Sequence, residues 1–285
     1  MDRRTIVLTG ASDGIGAAAA RTLAAHGHRL LLVGRSPEKT RAVAEEVGAE
    51  HFVADFARLE EVRTLAAALR ERLDGGLDVL ANNAGGIFGA REMTEDGNEY
   101  TLQVNHLAPF LLTHLLMDPL TAGGGGAVVS TSSIAARYFG RLRMEDLDNA
   151  RRYSSRKAYG DAKLANILFT RGLHERFHER GLGAMAFHPG VVATNFASAS
   201  NSVLRWAYHT PLKRLLTITA EEGGSNLTWA VEGTPGEDWD SGVFYDQRVP
   251  ARSLNPQVLD DVLVDRFWEA SAERVGLTTG PGARS

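Results

Sequence analysis

The segment Thr5-Ile6-Val7-Leu8-Thr9-Gly10-Ala11-Ser12-Asp13-Gly14-Ile15-Gly16 decides the fold of this chain. Its first five residues form a short apolar run that predicts a buried β-strand. Three glycines then form a turn, and the alanine-rich stretch from Ile15 to Ala25 predicts a helix closed by Gly27. A strand, a glycine-rich turn and a helix in this order begin a βαβ unit.

The glycine turn of this unit would present backbone N–H groups at the start of a helix. Glycine lets the backbone approach a ligand closely, and a helix amino terminus attracts anions such as the pyrophosphate of a dinucleotide. The spacing is Gly-x-x-x-Gly-x-Gly, not the commoner Gly-x-Gly-x-x-Gly. A plain turn between a strand and a helix would use the same residues, so this segment alone leaves both interpretations open.

Strand-like and helix-like segments alternate along the rest of the chain. Further strands are predicted at Arg29–Val33, His51–Ala54, Leu77–Ala81, Ala127–Ser130, Gly183–Phe187 and Gly242–Tyr245. Helices are predicted from Pro37 onward, at Leu59–Leu73 and Glu95–Met117, from the Tyr159 region to Arg180, and at Ala220–Val231 and Pro256–Val275. The alternation predicts a Rossmann-type α/β fold, a doubly wound, seven-stranded parallel sheet with helices on both faces.

No linker or repeat divides the chain, so we expect one domain over residues 1–285. Residues 191–218 lack a strand pattern and are predicted to form a substrate-binding lid within that domain. Phe196, Trp206 and Tyr208 would suit such a lid, or would equally pack beneath a loop. Residues 278–285 are small and polar and are predicted to be a flexible tail.

The composition is that of an ordinary soluble protein, with 44% hydrophobic and 23% charged residues. A net charge of −4 without a basic run argues against a nucleic-acid surface. The absence of cysteine excludes disulfides and thiolate metal sites. We find neither the apolar core of a signal peptide nor a run that could span a bilayer, and therefore expect a cytoplasmic protein.

Tyr159 and Lys163 form a candidate catalytic pair. They lie four residues apart in Ala158-Tyr159-Gly160-Asp161-Ala162-Lys163, a segment predicted to be helical, so they share one helix face. A nearby ammonium favours the phenolate, and we therefore expect a lowered pKa for Tyr159. Such a phenol could transfer a proton near neutral pH, although the same spacing occurs by chance on many helices.

The residues that follow the predicted strands have the character of a ligand site. Gly10, Asn83, Ser133 and Pro189 all follow strand ends of one polarity, so they should gather at one sheet edge, where open α/β sheets bind ligands. Arg35 follows the second strand, where an arginine accommodates a 2′-phosphate and an acid would bind a 2′-hydroxyl. Arg35 thus favours NADP over NAD, unless it is only a solvated surface arginine.

These motifs, in this order, resemble those of the short-chain dehydrogenase/reductase family. The match consists of Thr9-Gly10-x-x-x-Gly14-Ile15-Gly16, Asn82-Asn83-Ala84-Gly85, Asn105, Ser133, Tyr159-x-x-x-Lys163, and Pro189-Gly190 with Thr194. The retinol dehydrogenase-like branch is similar in Ala162–Phe169, His188-Pro189-Gly190, the wide gap from Ser133 to Tyr159, and Ser241-Gly242-x-Phe244-Tyr245. The resemblance implies an oxidoreductase that acts on CH–OH groups with NAD(P) as acceptor.

The resemblance also implies roles for four catalytic residues. Tyr159 would protonate the carbonyl oxygen as hydride arrives from the nicotinamide, and would act as the base in reverse. Lys163 would lower the pKa of Tyr159 and bind the nicotinamide ribose. Ser133 would hold the substrate oxygen. Asn105 would tie Lys163 to a water chain, although a buried amide in a helix equally suits a structural role.

A cofactor site is implied by the same resemblance. The pyrophosphate would lie on the turn, at Gly10, Ser12, Asp13, Gly14, Ile15 and Gly16. Asp55 and Phe56 would reach the adenine, and Asn83, Ala84 and Gly85 the adenosine ribose. Tyr159 and Lys163 would also contact the cofactor, and Pro189, Gly190, Val192 and Thr194 would line the nicotinamide. NADP-binding members often carry a basic residue in the turn, where this chain has Asp13. Arg35 is then the main 2′-phosphate ligand, and NAD(H) stays open beside NADP(H).

The implied substrate is a lipophilic alcohol or carbonyl compound, similar to a retinoid, a steroid or a secondary metabolite. The sequence names neither the compound nor the favoured direction. The implied assembly is a homodimer or homotetramer, and a monomer also occurs in this branch.

Three alternatives stand beside this hypothesis. His174-Glu175-Arg176-Phe177-His178 matches the zinc-hydrolase pattern His-Glu-x-x-His, but lacks a third ligand, so we expect a solvated helix face and no metal. Gly10-Ala11-Ser12-Asp13-Gly14 matches a serine-hydrolase elbow, but such an elbow belongs in mid-sheet after an earlier strand. A non-catalytic dinucleotide sensor would use the same fold, and the intact catalytic set argues against it.

Overall fold

The computed structural model describes residues 2–74, 76–190 and 218–277. Eight strands in these ranges form one sheet: β1 Thr5–Thr9, β2 Arg29–Gly34, β3 Glu50–Val53, β4 Val79–Asn82, β5 Ala127–Thr131, β6 Gly183–His188, β7 Val243–Asp246 and β8 Val249–Pro250. Their spatial order is β3-β2-β1-β4-β5-β6-β7-β8. All neighbours from β3 to β7 pair in parallel, and β8 pairs with β7 in the antiparallel sense.

The predicted doubly wound parallel sheet is confirmed, with one strand more than predicted. The seven parallel strands coincide with the seven predicted strands to within two residues at their ends. The eighth strand is only two residues long and returns from β7 through Gln247, whose φ is +57°. Two residues carry no periodicity, so the sequence pattern could not indicate this edge strand.

Ten α-helices lie in the described ranges: α1 Gly14–Ala25, α2 Pro37–Val47, α3 Leu59–Arg72, α4 Tyr100–Leu102, α5 Ala108–Leu115, α6 Met117–Thr121, α7 Ala135–Tyr138, α8 Ser155–Phe177, α9 Ala220–Glu232 and α10 Asp261–Arg274. A π-helical turn spans Gln103–Leu107, and 3₁₀ turns span Ala122–Gly124, His178–Arg180 and Pro256–Leu259.

Helices cover the sheet on both faces, which is why its strands are apolar on both sides. Val7 of β1 faces a core built with α3, α5, α8 and α10. Its neighbours Ile6 and Leu8 face the opposite core, built with α1, α2 and α9. All three side chains are fully buried. Helical connections join each parallel strand to the next, so these strands run in one direction and their carboxyl ends lie at one edge.

The predicted single helix over Glu95–Met117 is wrong. Helical structure begins only at Tyr100, because the Glu99 side chain accepts hydrogen bonds from the N–H groups of Thr101 and Leu102 and caps the first turn. A π turn then precedes Pro109, and the helix breaks again at Leu116 before Pro119. Proline has no N–H to donate and its ring crowds the carbonyl four residues back, so each proline interrupts the regular α-helical pattern.

The predicted helix over Pro256–Val275 is also divided. Pro256–Leu259 form a 3₁₀ turn, and α10 begins after Asp260, whose carboxylate accepts a hydrogen bond from the N–H of Leu263. The helix that carries Tyr159 runs as predicted, with its last turn, His178–Arg180, in 3₁₀ form.

Part of the predicted organisation lies outside the described residues. The predicted lid, residues 191–218, is outside them except for Ile218, and so is the predicted tail, residues 278–285. Among the helices that the structure describes, none combines the length and the apolar character needed to cross a bilayer.

Candidate active site

The carboxyl ends of β1, β4, β5 and β6 open onto one edge of the sheet, and the predicted site residues follow them there. The glycine turn comes after β1, Asn83 after β4, Ser133 after β5 and Pro189 after β6. Helix α8 packs across β5 and β6 and brings Tyr159, in its second turn, to the same edge. The fold therefore brings together groups that lie up to 180 residues apart in the chain.

Tyr159 and Ser133 are joined by a side-chain hydrogen bond. Ser133 is held by its own loop, because its Oγ accepts a hydrogen bond of 3.2 Å from the N–H of Ala135 at the start of α7. Tyr159 is buried, with 8% of its surface exposed. Burial raises the pKa of Tyr159 well above its ordinary value, and the hydrogen bond with Ser133 only partly opposes that shift.

Lys163 lies beside this pair in a buried position. Its Nζ is 5.5 Å from the centre of the Tyr159 ring and donates a hydrogen bond of 3.0 Å to the carbonyl oxygen of Thr131. Burial lowers the pKa of Lys163 to about 7. The prediction of a lowered Tyr159 pKa is therefore wrong in this structure, because the loss of water disfavours the charged form of each group more than their proximity favours it.

Asn105 lies in the π turn and holds the loop that follows β4. Its Oδ1 accepts a hydrogen bond from the N–H of Gly86, and its Nδ2 donates to the carbonyl oxygens of Gly86 and Thr101, at 3.0, 3.0 and 2.9 Å. A Cβ added to Gly85 would lie 2.3 Å from Asn105 Oδ1 and 3.3 Å from Lys163 Nζ. These contacts fit a structural amide beside Lys163, and the water-chain role stays a prediction.

The glycine turn is packed too tightly for side chains. A Cβ on Gly16 would lie 2.1 Å from the carbonyl oxygen of Gly10, and a Cβ on Gly10 would lie 2.8 Å from Ala84 Cα. Gly10 and Gly14 also have left-handed backbones, with φ of +67° and +53°. Asp13 caps α1 by accepting a hydrogen bond of 2.8 Å from the N–H of Gly14. Such a cradle fits the pyrophosphate of a dinucleotide.

Thr9, for which no role was predicted, joins the glycine turn to the loop after β4. Its hydroxyl oxygen accepts hydrogen bonds from the N–H groups of Asn83 and Ala84, both at 3.0 Å. Asn83 returns a hydrogen bond from its Nδ2 to the carbonyl oxygen of Thr9, at 3.1 Å. Thr9 is the first residue of the glycine motif, but no role was predicted for it, because the last residue of a buried strand has the pattern of a core residue.

Near the end of β2 the structure places a second cationic side chain, Lys39, in addition to Arg35. Arg35 is exposed and lies 3.4 Å, through Nη1, from the hydroxyl of Tyr100. Lys39, in the first turn of α2, forms an ion pair of 3.1 Å with Asp13 and lowers the pKa of that carboxyl. Lys39 was not predicted as a site residue, because its position opposite the turn follows from the packing of α2.

Asp55 and Phe56, the predicted adenine contacts, differ in their surroundings. The carboxylate of Asp55 accepts a hydrogen bond of 3.0 Å from the N–H of Ala57 at the edge of the sheet. Phe56 is 5% exposed and packs in the core with α3, so only its backbone could touch a cofactor.

The nicotinamide side of the site is described only as far as Gly190. The carbonyl oxygen of Pro189 accepts a hydrogen bond of 3.0 Å from Asn226 Nδ2 of α9. Gly190 has a φ of +102°, and a Cβ there would lie 2.5 Å from Ile218 Cδ1. The remaining predicted residues of this region lie outside the described residues: Val192, Thr194, Phe196, Trp206 and Tyr208.

The zinc-hydrolase motif lies at the far end of α8. The rings of His174 and His178 pack 4.6 Å apart, and His174 Nδ1 shares a hydrogen bond of 3.0 Å with the hydroxyl of Ser241. Within the described ranges, no group of three or more His, Asp or Glu side chains is placed to hold a metal ion. Ser12, the proposed elbow serine, lies against Gly34 of β2.

Comparison with known proteins identifies the family. The chain belongs to the short chain dehydrogenase family, whose model matches residues 4–204. It is therefore an oxidoreductase that acts on CH–OH or carbonyl groups with NAD(P). This assignment replaces the hydrolase alternatives built on Ser12 and on His174 with His178.

Two curated relatives match the chain over 96% of its length. It is 39% identical to a provisionally named daunorubicin C-13 ketoreductase of Streptomyces sp. strain C5, over 93% of that protein. It is 34% identical to human retinol dehydrogenase 13, over 85% of that protein. The predicted similarity to the retinol dehydrogenase-like branch is confirmed.

Two solved structures show the same fold. A functionally uncharacterised protein from Mycobacterium paratuberculosis is 31% identical, with a TM-score of 0.76 over 96% of this chain and 93% of that one. A short chain dehydrogenase from Shigella flexneri, complexed with NADP, is 26% identical, with a TM-score of 0.67 over 87% of this chain and 98% of that one.

Proposed function

We propose that this enzyme transfers hydride between NADP(H) and a lipophilic alcohol or carbonyl compound, with Tyr159 as the general acid and base. One observation carries the proposal. Ser133 meets the buried side chains of Tyr159 and Lys163 at the sheet edge that also holds the glycine turn. A proton donor, a group that can hold an oxyanion and a cradle for a dinucleotide are the parts that carbonyl reduction needs.

In the reduction direction, Tyr159 keeps its proton until the substrate oxygen gains negative charge. Burial favours the neutral phenol, which is the form that can donate. Ser133, fixed by its hydrogen bond from Ala135, would donate a hydrogen bond from its hydroxyl to the same oxygen and hold it near the Tyr159 hydroxyl, while keeping its own proton. Bound NADPH would supply the hydride.

Alcohol oxidation requires the opposite protonation state of Tyr159. The phenol must lose its proton to act as a base, and a protonated Lys163 nearby would add to the hydrogen bond with Ser133 in offsetting the burial of a phenolate. Because burial raises the pKa of Tyr159 and lowers that of Lys163, the site without ligand already holds the neutral phenol that reduction requires.

The cations beside the glycine turn support NADP(H) over NAD(H). Arg35 is exposed at the end of β2, and Lys39 compensates the charge of Asp13, which would otherwise repel a 2′-phosphate. The related Shigella flexneri enzyme was solved with NADP. NAD(H) is the alternative cofactor if Arg35 is only a solvated arginine.

The substrate class follows from the relatives' names, which refer to a daunorubicin ketone and to retinol. Both are lipophilic molecules with a carbonyl or alcohol group. In the proposed arrangement residues 1–285 form one NAD(P)-binding domain, and residues 191–218 cover the substrate. A non-catalytic sensor would bind the cofactor without turnover.

The test is a reduction assay on the purified protein with a panel of aromatic polycyclic ketones, retinal and steroid ketones. NADPH consumption and the alcohol product are both measured, and calorimetry compares NADPH with NADH. The proposal predicts tighter NADPH binding and at least one reduced carbonyl. Cofactor binding without turnover of any carbonyl would instead support the sensor.

A further inference from the structure

We infer that Asn166 and His106 are positioning residues for Lys163, and that they connect it to Ser271 of the last helix, α10. The inference rests on the catalytic role proposed for Lys163. It concerns buried groups that lie behind the site.

The first link is a carbonyl group shared by two side chains. The carbonyl oxygen of Thr131, the last residue of β5, accepts hydrogen bonds from Lys163 Nζ at 3.0 Å and from Asn166 Nδ2 at 3.2 Å. Lys163 and Asn166 are three residues apart on α8, so they reach the same oxygen from one helix face. Ser133 follows Thr131 by two residues, so this peptide influences both Lys163 and Ser133.

The series of hydrogen bonds continues away from the site through His106. Asn166 Oδ1 lies 3.4 Å from His106 Nδ1, and His106 Nε2 lies 3.0 Å from Ser271 Oγ. All of these side chains are buried; none is more than 4% exposed. Few waters could replace a lost partner there, so each missing hydrogen bond should be felt by the next group.

The donors and acceptors can be assigned along this series of hydrogen bonds. Asn166 donates a hydrogen bond from its amide N–H to Thr131, so its Oδ1 must accept a hydrogen bond from the N–H at His106 Nδ1. His106 Nε2 then accepts a hydrogen bond from the Ser271 hydroxyl. The same hydroxyl also donates to the carbonyl oxygen of Phe267, at 2.8 Å, so its hydrogen bond is bifurcated. Burial lowers the pKa of His106 to about 3, so the ring keeps this neutral form across the ordinary pH range.

The π turn places neighbouring residues of one segment toward the active site and toward helices α8 and α10. Within Gln103–Leu107, Asn105 faces Gly86 at the site and His106 faces α8 and α10. Ser271 lies beyond residues 4–204, the part that the family model matches. The last helix thus contributes to the geometry of Lys163 from outside that region.

The test compares His106→Phe and Asn166→Leu with a matched control, His114→Phe. His106 already packs against Phe110, Phe169 and Phe267, so a phenylalanine should fit there. His114 packs against Phe110, Phe169 and Trp268 in the same aromatic cluster, but its ring bonds only the carbonyl oxygen of Phe110. A loss of packing alone should therefore affect all three variants.

The direct readout is the titration of Lys163 by NMR with ¹³C-labelled lysine. The chain has only four lysines, at positions 39, 157, 163 and 213, and Lys163→Met assigns the signal. In wild type and in His114→Phe, Lys163 should titrate near 7. In His106→Phe and Asn166→Leu its pKa should rise by about one unit or more, because a freed ammonium reaches water or binds Thr131 more strongly.

The second readout is the pH profile of carbonyl reduction. His106→Phe and Asn166→Leu should lower kcat by about 10-fold or more, because small displacements of catalytic groups reduce the rate strongly. They should also shift the limb of the pH–rate profile that depends on the pKa values of Tyr159 and Lys163. His114→Phe should do neither. An unchanged Lys163 titration in both variants, or the same rise in His114→Phe, overturns the inference. If wild type reduces no carbonyl, the proposed function fails, and the titration still decides whether the chain positions Lys163.

Discussion

At the scale of one residue, burial of the Lys163 ammonium lowers the stability of the fold at a position where the proposed reaction needs the lysine. Its pKa is about 7 in the folded protein, against an ordinary value of 10.5. Below about pH 7 the lysine is charged both folded and unfolded, so folding bears the full cost of burying the ammonium. As pH rises from 7 toward 10.5 the folded protein releases that proton first, and the cost disappears.

Lys163→Met should therefore stabilise the protein while abolishing turnover. We expect a gain in the free energy of unfolding of roughly 2–4 kcal/mol at pH 6, after allowance for the lost hydrogen bond to Thr131, and almost none near pH 10. Urea unfolding at both pH values measures it. A destabilised variant at pH 6 would mean that the ammonium is well compensated where it lies.

Arg35 tests the choice of cofactor. Arg35→Ser removes the proposed partner of the 2′-phosphate, so NADPH affinity should fall by about 10-fold or more while NADH affinity stays unchanged. Arg41→Ser is the matched control, because Arg41 is an exposed arginine of α2 paired with Glu45. Calorimetric titration with both cofactors gives the answer. Unchanged NADPH binding would identify Arg35 as a solvated surface residue.

Spacing predicted which residues share a site, and it did not predict their protonation. The four-residue interval correctly placed Tyr159 and Lys163 side by side. The sign of the Tyr159 shift was wrong, because it depends on how many atoms cover the phenol, which is a property of the packed fold. The role of Thr9 and the presence of Lys39 at the site were not predicted, because their contacts are made with segments that are distant in the sequence.

At the scale of elements, two prolines decide where periodicity misleads. The apolar pattern over Glu95–Met117 indicated one long helix, and Pro109 and Pro119 divide it. The resulting π turn is also what gives Asn105 and His106 their separate partners. The strands were easier to predict, because a short run of apolar residues that is buried on both faces forms a strand with little dependence on the flanking residues.

The segment between Ser133 and Tyr159 is fastened to α8 by Asp161. This buried carboxylate accepts hydrogen bonds from the N–H of Arg141 at 2.7 Å, from Asn149 Nδ2 at 3.0 Å and from Lys157 Nζ. Asp161 lies two residues after Tyr159, so the fastening also fixes the start of α8 beside the site.

Asp161→Ala should cost roughly 3–5 kcal/mol of stability, because it leaves three donors without their acceptor. Glu175→Ala, on the same helix, removes a more exposed ion pair with Arg171 and should cost about 1 kcal/mol or less. The unfolding midpoints in urea of the two variants and of wild type measure the difference. Equal losses in both variants would show that Asp161 does not fasten the segment.

At the scale of the whole molecule, the order of the strands explains why distant motifs form one site. β1 lies between β2 and β4, and β5 lies between β4 and β6. The glycine turn and the Tyr159 cluster therefore face a common edge. Alternating strands and helices predicted this arrangement, because parallel connections leave few topologies. The two-residue strand β8 could not be predicted from any pattern.

The central claim is that the Tyr159 hydroxyl carries the proton, while the cofactor is held mainly by other residues. The most direct measurement compares Tyr159→Phe with wild type for two quantities: the rate of carbonyl reduction with NADPH, and the calorimetric affinity for NADPH. We predict a rate lower by about 100-fold or more with essentially unchanged affinity, because phenylalanine removes only the hydroxyl. A variant that keeps most of its rate would contradict the acid–base assignment, and one that loses NADPH binding as well would show that Tyr159 acts in holding the cofactor.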